Sequence, residues 1–363
     1  MGDGLKYAQY RSNVGTLHVS WAVSHFGGNV SFTPPDHAPT AKAIKDAAHS
    51  LHGRVVKTPC LALSNSRIAT FLPQDCAAVM KLELFQNAGS FKARGALLSV
   101  DALTPEQREK GVTAISAGNH ALAVSWACQA EGVSAKVVMP RSADPVRVRG
   151  CEAMGAEIVL TRDIHEGFEE MDRIVREEGR VAIHPFEGEC LTLGTATCGR
   201  ELMHEAPDLD AIIVPVGGGG LIGGIGLAAK YANPTIEIIG VEPSGADALT
   251  KSLQTGDVLQ IDKVDTIADS LGSPKTLPYS FGIAQAVVDD VVRIDDSAML
   301  RAMTIIYDSL KLVTEPACAA ATAALIGPLK YRMTNKRVGV IACGANIGED
   351  KFNHFIQQGR EQL

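Results

Sequence analysis

The chain of 363 residues predicts an α/β protein with two open, twisted sheets and flanking helices, and three observations carry that expectation. First, four short apolar runs rich in β-branched residues, VTAIS (112–116), AKVVM (135–139), EIVL (157–160) and VAIH (181–184), alternate with longer stretches of helical period. Each gap can hold a crossover helix, and strands joined by crossovers run parallel. Second, a less regular set of runs brackets this block: VMKLEL (79–84), AIIVPV (211–216), IEIIGV (236–241), VVRI (291–294) and RVGVIA (337–342). Third, 46% hydrophobic and 21% charged residues, with Gly and Pro scattered without period, exclude fibrous and disordered classes.

The two sets imply a partition. A large domain is expected from 41–110 and 188–363, with a small α/β domain inserted at 111–187. Residues 1–40 fit neither set and are expected to form an N-terminal arm. With so short a stretch after Asn346, no appended regulatory domain is expected.

With 34 Lys+Arg against 41 Asp+Glu, the net charge of −7 offers no footprint for nucleic acid or an anionic membrane, so neither is an expected partner. The eight cysteines are widely spread, without a C-x-x-C pair, and read as reduced thiols. No basic stretch followed by an apolar run opens the chain, so a cytoplasmic protein is expected. The uncharged run 211–229 nears the length of a membrane span, but seven glycines and Pro215 split it into strand, loop and helix.

That split is informative. Gly217, Gly218, Gly219 and Gly220 follow the strand AIIVPV and precede a helix, so backbone N–H groups can approach a ligand closely at a helix's positive end. A phosphate is the natural ligand. Gly218, Gly220 and Gly223 also satisfy G-x-G-x-x-G, with Glu242 ending the next strand, so a nicotinamide-dependent oxidoreductase is the alternative from another class. The position of the loop in mid-chain, rather than in a first βα unit, argues against it.

Lys92 lies in NAGSFKARGA, after VMKLEL, where Asn87 or Ser90 can cap the helix that begins there. A helix N-terminus disfavours an ammonium, and Phe91, Ala93 and Ala96 imply partial burial; both favour the neutral amine that Schiff-base chemistry needs. By position alone, a solvated lysine on a helix face is the commoner case. Ser116, Ala117, Gly118, Asn119 and His120 close one strand and open a helix, offering N–H groups that suit a carboxylate. Simple capping by Asn119 and His120 is the competing reading. A lysine, a carboxylate loop and a phosphate cup together specify an aldehyde cofactor with a phosphate arm and an amino-acid substrate, which is pyridoxal 5′-phosphate.

The segments GSFKARGA, SAGNH, VGGGGL, VEP, TIAD, EPACAAA and CGAN, in this order over about residues 45–350, resemble the fold-type II pyridoxal-phosphate enzymes, in particular the threonine/serine dehydratase and serine racemase branch. The resemblance implies a fold like that of the tryptophan synthase β subunit, and a homodimer. It implies that Lys92, next to Phe91, carries the cofactor as a Schiff base and then serves as base and acid at the substrate Cα. Gly217 to Leu221 would hold the phosphate and Asn119 the ring oxygen. Ser116 to His120 would hold the substrate carboxylate, and Cys343 would face the pyridine nitrogen. A neutral thiol there is a weak hydrogen-bond partner, which favours prompt loss of a β-hydroxyl over transamination.

Departures from the pattern refine the reading. Ala117 stands where serine racemases carry a serine that acts on the opposite face, so β-elimination to a 2-oxo acid and ammonia is expected instead of racemisation. His120 stands where cysteine synthases have Thr, which disfavours β-replacement. In VEPSGADAL, Ala248 replaces a cation ligand; a monovalent cation at Glu242 and the Ala246 carbonyl is still expected to be possible, a divalent one less so. Ser270 replaces a Gly, and GTAT (194–197) replaces G-Q-G-T. These two changes leave open threonine, serine, 3-hydroxyaspartate, phenylserine or a diamino acid as substrate. The run EPACAAATAALIG reads as a packed helix with Glu315 at the edge of the site. His184 and His165 read as ordinary element-end residues.

Overall fold

The computed structural model describes residues 32–363, so the arm expected over 1–40 lies almost wholly outside the described residues. In chain order the strands are β1 (Cys60–Ala62), β2 (Ala77–Lys81), β3 (Val112–Ile115), β4 (Ala135–Pro140), β5 (Glu157–Thr161), β6 (Val181–Ala182), β7 (Ala211–Pro215), β8 (Glu237–Pro243), β9 (Asp290–Ile294) and β10 (Arg337–Ile341). Six form one sheet in the order β1-β2-β10-β7-β8-β9, and four form another in the order β5-β4-β3-β6. The second is parallel throughout. The first is parallel except for β1, which pairs antiparallel with β2 in the register Leu61↔Met80. The central strands β7 and β3 are buried at every position. The apolar run of β7, and that of β3 broken only by Thr113, are what a strand covered by helices on both faces requires.

Two sequence expectations need correction. The run VMKLEL leaves the sheet at Lys81, and Glu83–Phe85 forms a 3-10 turn. The cause is Glu83: its fully buried carboxylate is drawn to Arg94, which donates to both of its oxygens at 2.8 Å, and to the Thr58 hydroxyl. Neither Asn87 nor Ser90 caps the lysine helix, Lys92–Asp101. Phe91 holds the N-cap position without a side-chain bond, Asn87 Nδ2 donates to the Arg54 carbonyl, and Ser90 Oγ has no partner. Backbone carbonyls take the place of a side-chain cap there: the Ala93 N–H donates to the Ser90 carbonyl at 3.4 Å and the Arg94 N–H to the Phe91 carbonyl at 3.2 Å.

The helix Glu189–Glu205 sets the distance between the lysine helix and the helix Gly220–Ala232. A Cβ on Gly194 would lie 2.3 Å from the Gly95 nitrogen, one on Gly199 2.8 Å from the Ile225 carbonyl, and one on Gly224 2.0 Å from Thr195 Oγ1. Backbone therefore meets backbone at this seam. Beneath it Arg94 and Lys81, both fully buried, share Glu201, while Lys81 also donates to the Thr58 carbonyl. Removing one member of such a cluster strands a buried charge, at a cost of about 3–5 kcal/mol.

Candidate active site

Loops at the carboxyl ends of β7, β3 and β10 converge with the start of the lysine helix, the side of an open α/β sheet where ligands bind. Lys92 is half-buried; its Nζ donates to the Pro185 carbonyl at 2.8 Å and sits 4.8 Å from the centre of the Phe91 ring. Burial lowers its ionisation to about 8, against the opposing pull of Cys343 and Glu315. Phe91, Lys92, Pro185, Phe186, Thr195 and Leu221 line the cleft in front of it, so Lys92 and the glycine loop share one wall.

The glycine loop is built as a cup. Gly219 adopts φ +97°, the helix Gly220–Ala232 starts without a side-chain cap, and Gly217 through Ile222 have N–H groups with no acceptor among the described residues. A Cβ on Gly218 would fall 2.2 Å from the Phe186 ring and one on Gly220 2.5 Å from the Phe186 carbonyl. Phe186 is itself tied down: Ser280 Oγ donates to its carbonyl, and Glu187 accepts from the backbone of Tyr279 and Ser280.

The second loop is shaped by side chains. Ser116 Oγ accepts from the Gly118 N–H, whereas the N–H groups of Ala117, Asn119 and His120 find no acceptor among the described residues. Asn119 is buried; its Nδ2 donates to Glu315 Oε1 at 2.7 Å and to Ser270 Oγ at 3.2 Å, and its Oδ1 accepts from Asn346 Nδ2 at 2.8 Å. Burial raises Glu315 to about 7, with Arg147 pulling it down and Asp269 pushing it up. His120 donates from Nε2 to the Ile183 carbonyl, which leaves buried Nδ1 as an acceptor without a partner; burial and then the Lys92 charge lower it to about 3. Cys343 is buried and its carbonyl accepts from the Phe91 N–H. The neighbouring Cys318 thiol, with burial, pushes its own thiol well up.

These features fit pyridoxal phosphate. Six adjacent N–H groups without an acceptor make a phosphate nest, a second set suits a carboxylate, and a lysine with a lowered ionisation lies between. Further buried atoms lacking a partner, Ser90 Oγ, His120 Nδ1 and Thr314 Oγ1, belong to residues beside Lys92, Asn119 and Glu315.

The comparisons agree. Residues 52–344 match the family described as pyridoxal-phosphate dependent enzyme, and the chain belongs to that family. Among its relatives, a phenylserine dehydratase of Ralstonia pickettii is 47% identical over 78% of this chain and 87% of its own length. An L-threonine ammonia-lyase of Thermotoga maritima is 33% identical over 88% of this chain and 79% of its own. The solved structure of maize serine racemase superposes with a TM-score of 0.81 at 34% identity, covering 90% of this chain and all of that one. The fold is that of the fold-type II enzymes, the cofactor is pyridoxal phosphate, and the nicotinamide reading falls.

Several site residues escape sequence reasoning. His184 is no ordinary strand end: its Nδ1 accepts from the Phe186 and Glu187 N–H groups, and burial and the Lys92 charge lower it to about 4. Phe186 and Arg147 carry no motif of their own. At Glu242, Oε1 accepts from Leu249 N and Oε2 from Thr250 N and Thr250 Oγ1, so the carboxylate caps the helix Ala248–Thr255. Among the described residues no group of three or more His, Cys, Asp or Glu is placed to hold a metal ion, and no helix is long and apolar enough to cross a membrane.

Proposed function

We propose that the chain is a pyridoxal-phosphate-dependent ammonia-lyase that converts a 3-hydroxy amino acid to a 2-oxo acid and ammonia. The observation that carries this reading is the lysine of lowered ionisation set between two nests of backbone N–H groups, one built for phosphate and one for carboxylate. When bound, the cofactor supplies the electron sink that acidifies the substrate Cα–H. The N–H groups of Gly217 to Leu221 would hold its phosphate, and Asn119 would orient its ring oxygen by exchanging the 3.2 Å contact of Nδ2 with Ser270. The Cys343 thiol, kept protonated, would meet the ring nitrogen without adding charge. The Ser116–His120 loop holds the substrate carboxylate. The Lys92 amine would take the Cα proton and the 3-hydroxyl would leave as water by taking up a proton, so that none is gained or lost overall; a second water would then hydrolyse the released enamine to oxo acid and ammonia. Phe91 and Phe186 exclude water from the lysine side of the cleft.

Ala117 offers no side-chain acid, which supports elimination over racemisation. The relatives named for hydroxy-amino acids support the substrate class, and the higher identity to the phenylserine dehydratase favours an aromatic 3-substituent over threonine or serine. A monovalent cation at Glu242 and the Ala246 carbonyl would have to displace the helix donors that fill Glu242. Reduced thiols at all eight cysteines support a cytoplasmic enzyme, and we read it as a homodimer on the family resemblance.

The test is the purified yellow protein offered phenylserine, L-threonine, L-serine and threo-3-hydroxyaspartate, with oxo acid and ammonia assayed together. Equal amounts of both products from one of them establish the reading. D/L interconversion without oxo acid overturns it.

A further inference from the structure

Arg147 is 4% exposed and lies on the helix Pro145–Ala153. Its guanidinium reaches four separate segments. Nε donates to the Asn346 carbonyl at 2.9 Å, Nη1 to the Ala117 carbonyl at 3.3 Å and Asp269 Oδ2 at 2.7 Å, and Nη2 to Asp269 Oδ1 and Glu315 Oε2, each at 3.3 Å. A ring of contacts closes: Arg147 to Glu315, Glu315 to Asn119, Asn119 to Asn346, and Asn346 back to Arg147.

We propose that Arg147 is a positioning residue for the amino-acid site, clamping the Ser116–His120 loop by its Ala117 carbonyl and fixing the Asn119 amide through Glu315. The proposal rests on the ammonia-lyase reading for its substrate class, but its geometry stands apart from that reading. An amide has a donor end and an acceptor end, and the ring supplies a carboxylate for one and an NH₂ for the other, so only one orientation of Asn119 satisfies both. The Ala117 carbonyl, once held, keeps its peptide from turning, and the N–H groups of Ala117, Asn119 and His120 remain together for a carboxylate. A lysine could supply the charge but not the planar fork that meets acceptors in four directions.

The clamp also governs Glu315. Facing that carboxyl are Arg147 from its helix, Asp269 and Ser270 from the turn Asp269–Leu271, Asn119 from the carboxylate loop, Lys92 from its helix, and Cys343 after β10. Arg147 favours the ionised form, while burial and Asp269 disfavour it. Without the guanidinium Glu315 takes up a proton at neutral pH and no longer presents a carboxylate to Asn119.

The holoenzyme variants R147M and R147K test this. For R147M we expect KM for the hydroxy-amino acid to rise about tenfold to a hundredfold with a smaller change in kcat, and the acid limb of kcat/KM to move to higher pH. R147K should return the acid limb toward the native position while KM stays raised. L-phenylalanine, which has no 3-hydroxyl to lose, reports binding through the cofactor band without turnover, and its Kd should rise in parallel with KM. An R147M enzyme with native KM and Kd, or with kcat lowered and an unmoved acid limb, overturns the proposal. If R147M does not fold, E315Q takes its place: the acid limb should disappear while the L-phenylalanine Kd changes less than fivefold, and a retained limb counts against the clamp. If the native enzyme turns over no hydroxy-amino acid, the ammonia-lyase reading fails, whereas the Kd comparison still decides the role of Arg147.

Discussion

The two anion loops solve one problem in opposite ways. The glycine loop after β7 is all backbone: its N–H groups are free, its shape comes from the absence of side chains, and its walls are Phe186 and the Thr195 helix. The Ser116–His120 loop after β3 is held by side chains from distant segments, Arg147, Glu315, Ser270 and Asn346. In the proposed roles the glycine loop takes the phosphate of a resident cofactor, so its cup can be rigid and local. The Ser116–His120 loop, proposed for a substrate carboxylate that comes and goes, depends on groups that can exchange partners.

Breaking the element common to both loops gives the largest effect. Lys92→Ala should lower oxo-acid release by about ten-thousand-fold and remove the yellow band, with both loops intact. Next comes Gly218→Ala, whose Cβ would meet the Phe186 ring at 2.2 Å. Cofactor affinity, followed by equilibrium dialysis, should fall about a hundredfold, with little change in the L-phenylalanine Kd of the fraction that stays loaded. If both affinities fall together, the two loops are not independent. Uptake of pyridoxal phosphate by the apoprotein should quicken about tenfold between pH 7 and pH 9, since Lys92 is held near 8 and its neutral amine is the form that reacts. The smallest change is Ala117→Ser. It should leave cofactor affinity unaltered and add slow D/L interconversion beside elimination, measured by chiral chromatography of the remaining substrate.

The contrast also explains what could be read from the residues. Backbone devices write themselves locally: four glycines between an apolar strand and an apolar helix announce the cup, and SAGNH marks a strand-end loop. Most of the sheets were equally legible, because buried parallel strands read as apolar runs, continuous in AIIVP and broken only by Thr113 in VTAI. β1 was not, being three residues without alternation, and Glu83 pulled the end of VMKLEL out of the sheet through a partner eleven residues away. Arg147, Phe186 and His184 were hidden for the same reason. Arg147 sits on a helix whose sequence, PVRVRGCEA, gives no sign of which arginine turns inward, and its acceptors span from Ala117 to Asn346. Ser270 was visible as a departure, but its link to Asn119 was not.

The seam where Gly95 meets Gly194 has a further consequence for how this enzyme can diversify. Since no atom can be added there, drift in substrate size has no route through the spacing of lysine and phosphate cup, and selection must act on the rim instead. Phe186 and Ser270 are the rim positions whose side chains can be exchanged without touching that spacing, whereas Thr195 is buried in the seam and donates to the Gly220 carbonyl. Relatives that share the chemistry but differ in the hydroxy-amino acid they accept should therefore differ first at these two places, with the two glycines left alone.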